Sequence, residues 1–234
     1  MKKQQQLLRI ALYGGTFDPV HVGHIAIAQS LLKLFALDKV LFIPAYVAPH
    51  KREKRVTPAL HRYAMLALAT QMESRLQVST IELDAPEQPY TIDTLARLQR
   101  EFDRHHAAAP QLFFVMGVDS WSEITTWREW EQLLQMMNHV VVTRPHYEWR
   151  DEHVTSLVRG KIVDVRRMSE TEVKRCIDES TGAKIYITDV VSMNVSSTAV
   201  RQAASAGEAA QVAALVPPPV ADYLMKYKLY EHEN

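Results

Sequence analysis

The chain of 234 residues predicts an α/β fold, a doubly wound, mainly parallel sheet in three layers with a small helical part at the C-terminal side. Three observations carry that prediction. Continuous apolar runs, such as Lys39 to Pro44 (Lys-Val-Leu-Phe-Ile-Pro), have the composition of strands buried on both faces, as in parallel sheets. Segments with helical period lie between these runs. A glycine-rich turn joins the first run to the first helical segment, which is where such sheets receive phosphate groups. The chain reads as a single domain, with residues of about 1–190 forming the sheet core and about 191–234 the helical part. It is long enough to bury a sizeable core.

Leu7 to Tyr13 is the first strand, and Ile25 to Leu37 carries the first helix. Lys39 to Pro44 is the second strand. Ala45 to Val56 is rich in proline and basic residues and lacks a period, so it is a loop at the carboxyl end of that strand, where ligand-carrying loops and plain solvated loops both occur. Thr57-Pro58 opens a helix as N-cap and first-turn proline, with Leu60, Tyr63, Ala64, Ala67 and Leu68 as its apolar repeat and Arg62 in its first turns. A strand follows around Leu76 to Leu83, then a Pro-rich turn from Ala85 to Pro89. Tyr90 to Leu95 begins a helix whose buried stripe is Ile92, Leu95, Ala96 and Phe102. Thr91 is an ordinary cap for it or a ligand-facing hydroxyl.

Gln111 to Met116 is the fourth strand, closed by Gly117-Val118-Asp119-Ser120. An acidic residue just past a strand end suits a ribose hydroxyl or a hydrated metal, and equally a helix cap. Thr126 and Glu129 have capping-box spacing, which puts Trp127 at a first helical position facing the loop edge, where an aromatic ring can stack on a planar ligand. Trp130 and Leu133 are assigned to the core. His139 to Thr143 is the fifth strand, and His146 to Gly160 a polar connection with room for a short helix. Ser169 and Glu172 cap a helix ending near Gly182, and Lys184 to Thr188 is a sixth, alternating strand. Ala203 to Leu215 forms small helices, Pro217 to Pro219 interrupts, and Val220 to Tyr230 is an amphipathic helix.

Two stretches carry the chemistry. In Gly14-Gly15-Thr16-Phe17-Asp18-Pro19-Val20-His21-Val22-Gly23-His24, the glycines allow a tight turn and close approach of the backbone to a ligand. The helix that follows offers unpaired N–H groups and roughly +0.5 of partial charge to an anion. His21 and His24, three apart, present two donors to one polyphosphate. In Asn194-Val195-Ser196-Ser197-Thr198-Ala199-Val200-Arg201, Ser196 or Ser197 caps a helix, and Arg201 lies one turn beyond Ser197, so hydroxyls, free N–H groups and a guanidinium converge as a second anion site. Two anion sites suit a nucleoside triphosphate. The chemistry they favour is nucleotidyl transfer to a phosphate. A phosphate monoester has a second pKa of ~6, so it attacks without a general base, and catalysis reduces to alignment and charge stabilisation.

Composition excludes other classes. Lys+Arg 27 balances Asp+Glu 27, which leaves no electrostatic footprint for polymeric nucleic acid. One cysteine, Cys176, in a charged helical stretch, fits a reducing compartment and a bystander thiol. The run after Met1-Lys2-Lys3 is short and broken by Arg9, and no stretch approaches the ~18 apolar residues of a membrane span, so a cytoplasmic protein without membrane contact is expected. His21 and His24 have no third ligand cluster that would make them a metal site.

The first stretch matches Gly-Gly-x-Phe-Asp-Pro-x-His-x-Gly-His of the nucleotidylyltransferase superfamily at every fixed position, and Ser196-Ser197-Thr198-x-x-Arg201 resembles its second signature, Ile-Ser-Ser-Thr-x-x-Arg, with Val195 for the isoleucine. Pro49-His50-Lys51, Arg62 with Met65-Leu66, Tyr90-Thr91 with Thr94-Leu95, Gly117 with Asp119, Trp127 and Arg144-Pro145 make the chain resemble the bacterial nicotinate-nucleotide adenylyltransferases from Ile10 to about Tyr230. The resemblance implies a Rossmann-like fold and the joining of nicotinate mononucleotide to ATP with Mg²⁺ carried by the ATP, giving deamido-NAD and pyrophosphate in NAD biosynthesis. It places His21, His24 and Arg201 in catalysis, with His24 and Arg201 most concerned with the transition state. Gly14, Gly15, Thr16, Phe17, Gly117, Asp119, Ser197 and Thr198 fall to ATP, and Lys51, Tyr90, Thr91, Trp127 and Arg144 to the mononucleotide. Thr91 would bond the nicotinate carboxylate and Trp127 would stack on the pyridine ring. Ala45-Tyr46, Ala48 before Pro49-His50, and His146 depart from the pattern of many relatives in loops that meet the mononucleotide, so nicotinamide mononucleotide stays a rival acceptor; 4′-phosphopantetheine is another, because the much shorter pantetheine-phosphate adenylyltransferases share both signatures. A non-catalytic nucleotide sensor is the rival of a different class, and a homo-oligomer stays open.

Overall fold

The computed structural model describes residues 7–46, 56–84, 90–105, 108–143, 148–190 and 193–231. Seven strands form one sheet: β1 (Arg9–Gly15), β2 (Lys39–Pro44), β3 (Leu76–Val78), β4 (Gln111–Gly117), β5 (Asn138–Val142), β6 (Ile162–Asp164) and β7 (Ile185–Thr188). Their order is β3-β2-β1-β4-β5-β7-β6, with every pairing parallel. The chain winds from β1 outward through β2 to β3, then crosses to β4 on the other side of β1. This reversal opens a crevice at the carboxyl ends of β1 and β4, the place where open α/β sheets bind ligands.

Parallel pairing requires both faces to be covered, and the strands alternate their side chains accordingly. Along β1, Ala11 and Tyr13 enter one apolar cluster while Ile10 and Leu12 enter the other. The first cluster is roofed by α1 (Val22–Leu34), α2 (Ala59–Thr70), α7 (Glu170–Glu179), α8 (Ser197–Ser205), α9 (Ala209–Leu215) and α10 (Pro218–Tyr227). The second is roofed by α3 (Thr91–His105), α4 (Val118–Ser122), α5 (Trp130–Met136) and α6 (Ser156–Arg159). Val200, Ala203, Val212, Val220 and Leu224 of the last three helices share the first cluster with Leu31, Phe42 and Met65, so these helices form part of one layer. Among the described residues, no helix is long and apolar enough to cross a membrane.

Several boundaries differ from the sequence expectation. The α2 helix starts at Ala59 with Pro58 as N-cap, not Thr57, and Leu60 is exposed. Its buried face is Arg62, Met65, Leu66 and Thr70, because the helix is rotated to take the arginine inward. β3 ends at Val78 rather than Leu83, since residues 80–84 close a turn in which the Asp84 N–H donates to the Thr80 carbonyl at 2.9 Å and the Thr80 hydroxyl to the Asp84 carboxylate at 2.7 Å. The Thr126/Glu129 capping box does not form. Instead, Ile124–Thr126 is a 3₁₀ turn, Glu129 has φ 51°, and α5 begins at Trp130. The box at Ser169 and Glu172 does form, but its helix stops at Glu179, short of Gly182. β6 was not expected, and β7 is buried at every position rather than alternating. The turn from Ala85 to Pro89 lies outside the described residues.

Candidate active site

The glycine turn leads from β1 into α1 through residues 16–21. A Cβ on Gly15 would stand 2.9 Å from the Phe17 ring, so the close approach requires glycine there. Phe17, with φ 50°, is buried, and its ring meets Tyr13, His24 and Phe42 edge-on at centroid distances of 5.5, 5.0 and 5.5 Å. Phe17 therefore lies beneath the turn and wedges the His24 imidazole in place. His21 is the N-cap of α1, and its ring stacks on that of His24 at 3.6 Å.

One hydrogen bond settles the chemistry of His24. The backbone N–H of His21 donates to His24 Nδ1 at 3.2 Å, so in the neutral ring the proton resides on Nε2. Burial, with repulsion from His21 second, holds the His24 pKa well below the usual imidazole value, and burial pushes His21 down to about 4. At neutral pH both rings are uncharged. Neutral His24 offers one donor, Nε2–H.

The second stretch closes on the first. Ser196 caps α8 by accepting from the Ala199 N–H at 3.1 Å. The Ser197 hydroxyl donates to the Pro19 carbonyl at 2.9 Å, and Arg201 Nη1 to the Asp18 carbonyl at 2.7 Å. Arg201 Nη2 also approaches the Thr198 hydroxyl at 3.4 Å. A Cβ on Gly23 would stand 2.7 Å from Val195, so the N-terminal turns of α1 and α8 are in direct contact. The Asp18 carboxylate accepts from the Tyr230 hydroxyl at 2.6 Å and from the Thr57 N–H at 3.2 Å. Helix starts far apart in sequence thus share one loop.

A cavity of about 560 Å³ lies over the carboxyl ends of β1, β2 and β4. Of the residues singled out in the sequence, Gly14, Gly15, Thr16, His24, Tyr90, Thr91, Asp119 and Trp127 line it. His21 stacks on His24 but does not line the cavity, and Gly117 is exposed with open space at its Cβ position. Thr198 and Arg201 border a separate shallow depression along α8. Lys51, Arg144, Pro49-His50 and His146 lie outside the described residues. Among the described residues no group of three or more His, Cys, Asp or Glu side chains could hold a metal ion. A Mg²⁺ ion held chiefly by nucleotide phosphates and water needs no such cage.

Three residues to which the sequence assigned no role are set at or beside the cavity by the fold. Glu82, assigned there to a strand, lines the cavity and accepts from the Tyr46 N–H at 3.1 Å and the Thr94 hydroxyl at 3.0 Å. Burial raises its pKa against the lowering effect of those bonds, Arg62 and Arg97. Arg62, placed in the first turns of its helix and quoted with Met65-Leu66 for the family resemblance but given no role, is 1% exposed and donates to the carbonyls of Thr57 (2.8 Å), Thr16 (2.7 Å) and Tyr46 (3.0 Å). Arg128 lines the cavity with its guanidinium 4.7 Å from the centre of the Tyr90 ring. No local pattern signals the placements of Glu82 and Arg128.

The buried histidines imply a pH response. His21 binds its proton near pH 6.5 when unfolded and only near pH 4 when folded, so the unfolded chain holds more protons between those values and stability falls as pH falls. A displacement from 6.5 to about 4 corresponds to about 3 kcal/mol. Urea unfolding at pH 7 and pH 4 should therefore show the native protein losing about 3 kcal/mol more than His21→Gln between the two. Equal losses would contradict this burial of the ring.

Comparison with known proteins extends the picture. Residues 12–203 match the family model described as cytidylyltransferase-like. A Thermoanaerobacter protein named a probable nicotinate-nucleotide adenylyltransferase is 38% identical over 227 residues, covering 97% of this chain and 96% of its own. A Desulfatibacillum aliphaticivorans protein with the same name is 31% identical over 226 residues, covering 95% and 100%. Among solved structures, the nicotinic acid mononucleotide adenylyltransferase of Plasmodium falciparum, complexed with NaAD, superposes with a TM-score of 0.69 at 18% identity, covering 96% of this chain and 98% of its own. That last likeness concerns the fold alone.

Proposed function

The chain belongs to the cytidylyltransferase-like family and, within it, to the nicotinate-nucleotide adenylyltransferases, and on that premise we propose how its cleft joins ATP to nicotinate mononucleotide. The products are nicotinate adenine dinucleotide and pyrophosphate, in NAD biosynthesis. A phosphate oxygen of the mononucleotide attacks the α-phosphorus of ATP, and the bond from that phosphorus to the bridging oxygen breaks as pyrophosphate leaves. The observation that carries this reading is the locking of α1 and α8 about residues 18–19, which sets two helix N-termini and Arg201 beside one loop.

In this reading α1 and α8 hold the triphosphate with His21, Ser197 and Thr198. His24 Nε2–H and Arg201 stabilise the charge that develops on the transferring and leaving oxygens, work for donors fixed in place before the reaction. Mg²⁺ enters with ATP and neutralises phosphate charge. Asp119 serves the adenosine end. Thr91 and Trp127, on the wall shared with Tyr90, receive the nicotinate ring. No proton has to be removed from the attacking phosphate, which is largely dianionic at pH 7 given a second pKa of ~6. The protein works in the cytoplasm.

The test is pyrophosphate release from MgATP with nicotinate mononucleotide, nicotinamide mononucleotide and 4′-phosphopantetheine in parallel. Release should be strongest with nicotinate mononucleotide. A preference for 4′-phosphopantetheine would overturn the acceptor. Tight ATP binding with no release from any of the three would replace the enzyme with a sensor.

A further inference from the structure

The cavity poses a charge problem. Its described lining includes three carboxyl side chains, Glu82, Asp119 and Glu123, and a single permanent cation, Arg128. His24, also on the wall, is neutral at pH 7. A nicotinate mononucleotide brings a ring carboxylate in addition to its phosphate. The nicotinamide compound differs only in lacking that charge, so a wall of carboxylates by itself would favour the amide.

Arg128 is placed to reverse this preference. It follows Trp127 and lies over Tyr90, the residue before Thr91, so it joins the two sides of the wall assigned to the pyridine ring. The stacked arrangement limits the freedom of a side chain that is otherwise about half exposed. Its backbone is set as well, between the 3₁₀ turn at Ile124–Thr126 and the left-handed residue Glu129. Arg128 Nε donates to Glu129 at 3.3 Å, and the flat guanidinium has four further N–H donors.

We infer that Arg128, held against Tyr90, is a specificity-determining residue that selects an acceptor bearing a ring carboxylate over its amide counterpart, offsetting the carboxylates of Glu82, Asp119 and Glu123. The inference rests on the adenylyl-transfer reading above and assigns its acid preference to one side chain. A guanidinium suits the task because its planar fork pairs with a carboxylate in two parallel bonds, and because it stays charged throughout the working pH range.

The experiment measures kcat/KM for nicotinate mononucleotide and nicotinamide mononucleotide with the native protein, Arg128→Gln and Arg128→Lys, each checked for an unchanged thermal midpoint and an unchanged KM for ATP. Arg128→Gln should lower kcat/KM for the acid by about 10- to 100-fold, the range of one charge-assisted hydrogen bond, and leave the amide within about 2-fold. Arg128→Lys should recover part of the acid:amide ratio, because it keeps the charge but loses the fork. Equal losses with both acceptors would mean that Arg128 only shapes the loop, and an unchanged ratio in Arg128→Gln would mean that it has no part in selection. Either overturns the inference. A native protein that uses the amide and not the acid also overturns it, while leaving adenylyl transfer standing. Turnover of neither nucleotide would remove the functional reading and this inference together.

Discussion

Replacing His24 by alanine is expected to lower kcat by about 100- to 1000-fold, the loss typical of removing one fixed donor to a developing negative charge. The structure makes the expectation specific. Because His24 Nδ1 accepts from the His21 N–H, only Nε2–H can face a ligand, and the ring cannot rotate without breaking that bond and disturbing the stack with His21. His24→Gln, whose amide N–H reaches about as far as Nε2, should restore part of the rate. His24→Asn, which matches Nδ1 instead, should not. Because His24 also packs on Phe17 and Tyr13, the alanine variant will lose some stability, so kcat is to be read at a temperature where circular dichroism shows each variant folded. Full activity in folded His24→Ala would remove the residue from catalysis.

The second large effect is on stability. Arg62 lies buried among the carbonyls of Thr16, Tyr46 and Thr57, with the charges of Asp18 and Glu82 within electrostatic reach. Substitution by methionine leaves three carbonyls short of a donor, and buried Asp18 and half-buried Glu82 short of a counter-charge. Breaking a buried charged network in this way costs about 3–5 kcal/mol. Arg62→Lys keeps the charge but cannot span three acceptors, and should recover less than half of the loss. Urea unfolding of the three proteins is the check. A loss below about 1 kcal/mol in Arg62→Met would mean that the loops hold themselves in place without it.

What the sequence made legible follows from how local each signal is. The glycine turn, the histidine pair and the Ser169–Glu172 box are encoded within a few residues, and the structure places the turn and the box where expected. Strands β1, β2, β4 and β5 announce themselves as apolar runs because a parallel sheet buries both their faces. β6 does not, since two half-buried residues and the exposed Asp164 at a sheet edge leave no run to see. The Thr126–Glu129 spacing misled because the Thr126 hydroxyl bonds back to the Glu123 carbonyl at 2.7 Å and tightens the preceding turn, a local competitor that shares the capping pattern. Arg62, Glu82 and Arg128 acquire their roles from partners brought near by the fold. Arg62 meets Thr16, 46 positions away, and Glu82 meets Tyr46, 36 positions away, relations that no periodicity encodes.

The bond between Asp18 and Tyr230 links positions 212 residues apart, and Arg201 reaches the same loop across 183. During synthesis at about 5–20 residues per second, the glycine turn leaves the ribosome roughly 10–40 s before the tyrosine that holds its aspartate exists. Through that interval the sheet can grow strand by strand while the loop between β1 and α1 lacks its final clasp. The nascent chain therefore carries its first signature from the outset but gains the finished loop between β1 and α1 only when the last helices dock, which makes completion of that loop a late event in the making of each molecule.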